Sequence, residues 1–191
     1  MNAFLQTPAT WVLVGANVLL FLAEERAGGS ANPEVALRFG AQTLDRLRAG
    51  QWYRLGTSMF LHFGLLHLLC NMYALYNLGP ALEEFYGLVP FLALYLLSGL
   101  AGNLLTAFRD ARSARPAVSA GASGAVFGLL GAYLALAILP ATRAAIDVSS
   151  LATVLVLNLA IGFSTPAINM AAHLGGLLAG LLLGFLFFPF A

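Results

Sequence analysis

The chain has 191 residues, 60% hydrophobic and 9% charged, with a net charge of +1 and a mean hydropathy of +0.86. Soluble domains carry about a quarter charged residues, so the composition excludes an ordinary soluble protein and points to an integral membrane protein, read as one domain over residues 1–191. The near-neutral charge gives no basis for binding nucleic acid, and the single Cys70 excludes an intramolecular disulfide and a thiolate metal cluster.

Taken in chain order, the apolar runs predict six spans at about 20 residues per crossing. The first, 8–23, is closed by Glu24-Glu25-Arg26; it lacks the basic n-region and small-residue cleavage site of a signal peptide, so it reads as a retained span. A long first loop follows, carrying Arg26, Arg38, Arg46, Arg48 and Arg54. Its stretch from Val35 to Arg48 mixes apolar and charged residues at helical spacing, which predicts a helix lying in the interface. Leu55 to Leu82 is free of charge and too long for one crossing; a break at Gly64 gives span two as 65–83. Span three is 88–108. The basic loop Arg109 to Arg115 precedes span four, 119–139. A turn from Pro140 to Asp147 leads to span five, 148–163, and Ser164-Thr165-Pro166 turns into span six, 166–188. The predicted fold class is an all-α membrane protein, a six-helix bundle with a long, partly membrane-embedded first loop.

Six spans make two, four and six parallel. From the predicted starts, Asn71, Ser123 and His173 then lie about 6–11 Å below one surface, at 1.5 Å per residue. A serine hydroxyl is a weak nucleophile that needs a base, and histidine is the usual one. Ser123, in Gly121-Ala122-Ser123-Gly124, and His173, in Ala172-His173-Leu174-Gly175-Gly176, are that pair of types. His67 and Asn71, spaced i, i+4, share one helix face and are neutral donors suited to a developing oxyanion. Glycines at 176, 180 and 184 share the face of His173, and 121, 124, 128 and 131 thin span four, so the two helices can approach closely. Each residue alone has a plainer reading. A membrane serine often bonds back to its own helix, and His67 and Asn71 could simply join helices. Asn103, Asn158 and Asn169 read as interhelical or interfacial contacts.

Together, His67-x-x-x-Asn71, Gly121-x-Ser123-Gly124 and Ala172-His173-x-Gly175-Gly176 resemble the rhomboid family of intramembrane serine proteases. Trp52-Tyr53-Arg54, Leu61-His62-Phe63-Gly64 and the Gly79-x-x-x-Glu83 spacing resemble that family's first loop and second span. The resemblance implies a Ser123 nucleophile and a His173 general base, with His67, Asn71 and the Ser123 N–H as the oxyanion site. It implies supporting roles for Arg54, Glu83, His62, Gly121, Gly124 and Gly176. Phe127 stands where the family usually has a tyrosine stacked on the catalytic histidine, so the ring is kept and the hydroxyl lost. No metal or cofactor is implied. The implied partners are transmembrane protein substrates, entering sideways by way of spans two and five, and membrane lipids. The implied location is a bacterial inner membrane with the N-terminus in the cytoplasm.

That topology puts eight of the nine arginines outside and only Arg143 inside, against the positive-inside rule. The family orientation is preferred because its first loop is a structured, membrane-embedded element whose arginines can bind lipid phosphate. A catalytically inactive relative that binds transmembrane helices is the alternative, although such relatives lose the nucleophile or base that this chain keeps. A small transporter or channel is disfavoured because Glu83, Glu84, Asp110 and Asp147 all sit at span ends.

Overall fold

The computed structural model describes residues 6–114, 117–149, 151–156 and 168–188. Its first helix, α1 (Pro8–Arg26), begins on a proline, whose fixed φ suits the first helical turn. The first loop folds into three short helices rather than one. In α2 (Pro33–Phe39) the Asn32 side chain caps the Glu34 N–H, and Gly40 ends the helix at φ +110°, a left-handed conformation that glycine adopts freely. Thr43 then caps α3 (Leu44–Arg48). The single interfacial helix expected over Val35 to Arg48 is therefore broken at Gly40, and Val35, Ala36 and Leu47 are buried. The short α4 (Arg54–Thr57) continues as a 3-10 turn, Ser58–Phe60.

The long α5 (Leu65–Tyr86) starts just after Gly64, where the break was expected. Its axis turns by 93° from the segment Arg54–Phe60. Gly87 alone separates it from α6 (Leu88–Asp110). The next long helix, α7 (Ser123–Ile138), begins four residues later than predicted. Residues 119–122 are not helical: Ser119 pairs with Gln42 through two backbone hydrogen bonds of 2.9 and 2.8 Å. Gly121 is thus off the helix, at φ +137°. Ser123 is the first helical residue, so the predicted depths shift: Asn71 lies six residues into α5 and His173 three into α8 (Met170–Phe187). Of predicted span five, residues 148–149 and 151–156 are helical. The rest of that span, with Asn158, and the turn into span six at 164–166 lie outside the described residues.

Among the described residues, α1, α6 and α8 are long and apolar enough to cross a membrane, and the bent pair Arg54–Phe60 and Leu65–Tyr86 makes a fourth if taken as one span. Helix α7 is apolar but has 16 residues, about 24 Å at 1.5 Å per residue. This is an all-α, multi-pass integral membrane protein.

The core is filled by Phe91, Leu94 and Tyr95 of α6, Leu75 and Leu82 of α5, Leu129 of α7 and Met59 of the 3-10 turn. Helix α8 joins through glycine instead. A Cβ at Gly176 would run into the Gly124 carbonyl oxygen of α7, and one at Gly180 into that of Gly128. On its other side, Gly175 faces Ala101 and Gly102 of α6. At the far end of α5 the buried Glu83 carboxylate reaches α1. It accepts hydrogen bonds from the backbone N–H groups of Ala9 and Thr10, at 2.8 and 2.7 Å, and from the Thr10 hydroxyl, at 2.8 Å. Thr7 makes no side-chain cap for α1, so the helix is capped from across the bundle.

Candidate active site

Ser123 opens α7, where the first N–H groups have no partner within the helix and the dipole is positive. The segment leading to it is fixed from the first loop. Ser119 is paired with Gln42, and the Gly121 N–H donates to the Ser58 carbonyl at 2.9 Å. Asn103 of α6 ties that loop down, donating through Nδ2 to the Leu55 carbonyl (2.7 Å) and the Ser58 hydroxyl (3.0 Å). Gln42 Nε2 in turn donates to the Asn103 carbonyl at 2.9 Å.

One turn after Ser123, the Phe127 ring stacks on His173, with centroids 4.1 Å apart and planes 14° from parallel. Both rings are buried. The glycine contacts set this up, because α7 and α8 meet backbone to backbone at Gly124 and Gly176, next to both residues. Among the described residues no hydrogen bond joins Ser123 Oγ to His173, and His173 Nδ1 is buried without a partner. Such bonds are often long in unliganded sites and tighten around substrate.

His67 comes to the same place from α5. A Cβ at Gly121 would lie 2.9 Å from His67 Nε2 and 3.8 Å from Ser123 Oγ, so the three residues border one spot. Asn71 is buried one turn further on, and its Nδ2 donates to the His67 carbonyl at 3.0 Å. That bond uses one of the two amide protons and leaves the other available. The His62 ring meets that of His67 edge to face at 5.0 Å. His62 is fully buried, and its backbone N–H donates to Glu24 Oε2 at 3.4 Å.

Arg54, also buried, donates to the carbonyls of Leu37 and Ala41, both at 2.8 Å, and to Gln51 Oε1 at 2.7 Å, which closes the first loop on itself. Glu83 lies at the opposite end of α5 from His67.

Asn169 is the interhelical contact expected from the sequence, and it is also a helix cap. Its Oδ1 caps α8 by accepting the Ala172 N–H at 3.2 Å and also accepts from Arg109 Nη1 at 3.0 Å. Its Nδ2 donates to Thr106 Oγ1 (3.0 Å) and Ser119 Oγ (2.8 Å). One side chain therefore holds α6, the segment before Ser123 and the turn carrying His173. The available signal was an asparagine placed just before an apolar helix, a preferred capping residue.

A multi-pass bundle that gathers a serine, two histidines and an asparagine from three helices can support serine-based acyl transfer. A family model described as the rhomboid domain matches residues 49–190. The rhomboid protease GluP of Bacillus subtilis (strain 168) is 36% identical over 172 residues, covering 90% of this chain and 33% of that protein. RHOMBOID-like protein 5 of Arabidopsis thaliana is 42% identical over 151 residues, covering 78% of this chain and 48% of that one. RHOMBOID-like protein 1 of the same plant is 41% identical over 138 residues, 71% and 34% of the two chains. This chain belongs to the rhomboid family, and it spans a third to about half the length of these relatives.

Proposed function

We propose that the protein is an intramembrane serine endopeptidase that cleaves single-span membrane proteins in or beside their transmembrane segment. The observation that carries this reading is the Phe127–His173 stack one turn from Ser123, which holds the base beside the helix that presents the nucleophile. Ser123 Oγ attacks the scissile carbonyl and His173 takes its proton. His67, the spare Asn71 amide proton and the Ser123 N–H stabilise the oxyanion. As the tetrahedral intermediate collapses, His173 returns the proton to the leaving amine. Water, activated by the same histidine, then hydrolyses the acyl-enzyme.

A membrane helix hides its carbonyls in its own hydrogen bonds. Preferred substrates therefore carry Gly, Pro or polar residues near the cut, which weaken the helix. The outer face of α5, where Leu66, Leu69, Tyr73 and Tyr76 are exposed, fits a sideways approach within the bilayer. In the accompanying topology six spans cross a bacterial inner membrane, the N-terminus is cytoplasmic and Ser123 lies near the outer surface.

The test is incubation of the purified protein in lipid with a panel of single-span substrates, with the cut sites mapped. Ser123→Ala, shown to be folded, should lower cleavage by about 10⁴-fold or more, as loss of a serine nucleophile does elsewhere. Cleavage at the wild-type rate overturns the proposal.

A further inference from the structure

The proposed chemistry makes no use of the arginines of the first loop at the reacting centre, yet three of them converge. Arg38, Arg46 and Arg54, with Glu34 and Leu37, line an open cavity of about 360 Å³ between α2, α3 and α4. Arg54 forms a fixed floor, buried and held by the carbonyls of Leu37 and Ala41. Arg38 and Arg46 are exposed side chains at the walls. Arg38 spends one Nη2 bond, at 3.2 Å, on the Ala27 carbonyl. Arg46 has no side-chain partner among the described residues. Nor does Glu34 neutralise any of the three, since the ion pair found among the described residues is Arg109–Asp110. Three guanidinium groups thus face one carboxylate in a cavity with room for a ligand. Guanidinium groups match phosphate oxygens in geometry and charge.

A second observation fixes the depth. Trp52 and Tyr53, immediately before Arg54, are 61% and 58% exposed, and the Arg54 guanidinium carbon lies 5.3 Å from the Tyr53 ring centroid. Exposed Trp and Tyr side chains on a membrane protein mark the level of the lipid headgroups. We infer that this cavity is a binding site for the phosphate of an anionic phospholipid, gripped by Arg38 and Arg46 above Arg54, with Leu37 facing the glycerol end.

The experiment uses the full chain in nanodiscs of phosphatidylcholine doped with phosphatidylglycerol, with retained lipid counted by native mass spectrometry. Wild type should retain phosphatidylglycerol in preference to phosphatidylcholine. Arg38→Gln with Arg46→Gln should lower that preference about 25-fold, each interfacial basic group contributing about fivefold. Both side chains are exposed, so the variant should unfold at the wild-type temperature. Arg143→Gln, on the 3-10 turn after α7 and away from the cavity, should change nothing. Glu34→Gln, which removes the opposing charge, should raise retention. Equal preference in the double variant and wild type, an equal loss with Arg143→Gln, or retention at or below wild type with Glu34→Gln overturns the inference. Millimolar inorganic phosphate should leave the lipid in place; displacement by it overturns the lipid assignment in favour of a soluble phosphate.

Discussion

Glu83 offers the sharpest test of how the bundle is held. Its carboxylate accepts three hydrogen bonds from the start of α1, within 2.7–2.8 Å, and the residue is 3% exposed. A hydrogen bond to a charged group contributes about 1.5–3 kcal/mol. The three share one carboxylate and do not add fully. Glu83→Ala leaves three neutral donors unpaired at a buried helix terminus, each costing about 1–3 kcal/mol and not fully additive, so the expected loss is about 3–5 kcal/mol. Glu83→Gln keeps one acceptor oxygen. Turned towards Thr10 it retains two bonds, but its NH₂ then opposes the Ala9 N–H, for a loss of about 2 kcal/mol. Thr10→Val removes only the hydroxyl donor, about 1 kcal/mol, and its effect should largely vanish in the Glu83→Ala background. Unfolding of the purified protein by a rising detergent fraction, followed by circular dichroism, measures all four variants. A Glu83→Ala loss below about 1 kcal/mol, within the ordinary range of a single substitution, refutes the capping argument. Additive losses for Glu83→Ala and Thr10→Val in the double variant refute the pairing.

Other outcomes follow from the site. Gly176→Ala drives a methyl group into the backbone of Gly124, whose carbonyl carbon would lie 2.8 Å away; overpacking against backbone should cost about 1–3 kcal/mol in the same unfolding assay and slow cleavage. Phe127→Leu removes a stacking partner worth about 0.5–1.5 kcal/mol, so the cleavage rate should fall several-fold, whereas Phe127→Tyr should cleave within about twofold of wild type if its hydroxyl finds a polar partner. Asn169→Ala removes a helix cap worth about 1 kcal/mol and frees Ser119 and Thr106; amide hydrogen exchange at Ala172 and His173 should rise, and Asn169→Asp should restore the cap but not the two donated bonds.

What could be read from sequence was mostly local. Gly64 announced the start of α5 because a glycine interrupts an overlong apolar run, and φ +84° is the conformation that uses it. Ser123, His173, His67 and Asn71 stood out as candidates because polar side chains in apolar runs are few. The start of α7 was not. Residues 119–122 are small and apolar enough to extend a helix, and they leave it because Gln42 and Ser58, far away in sequence, take their backbone hydrogen bonds. The same reason hid the partners of Glu83 on α1 and the four bonds of Asn169. The break in the first loop was missed differently: the helical spacing from Val35 to Arg48 was real on both sides of Gly40, and the left-handed turn there outweighed the periodicity.

The contact of α7 with α8 at Gly124–Gly176 and Gly128–Gly180 has a mechanical consequence. Side chains can rotate to let two helices slide, but main chain resting on main chain has no rotamers to spare. The two helices that carry Ser123 and His173 therefore act as one stiff plate. Helix α6 rests on the same plate, because Gly102 lies against the Ala172 carbonyl of α8. Helix α5 meets that plate through side chains such as His67 and Tyr86, so what freedom the bundle has to shift lies there and not between Ser123 and His173.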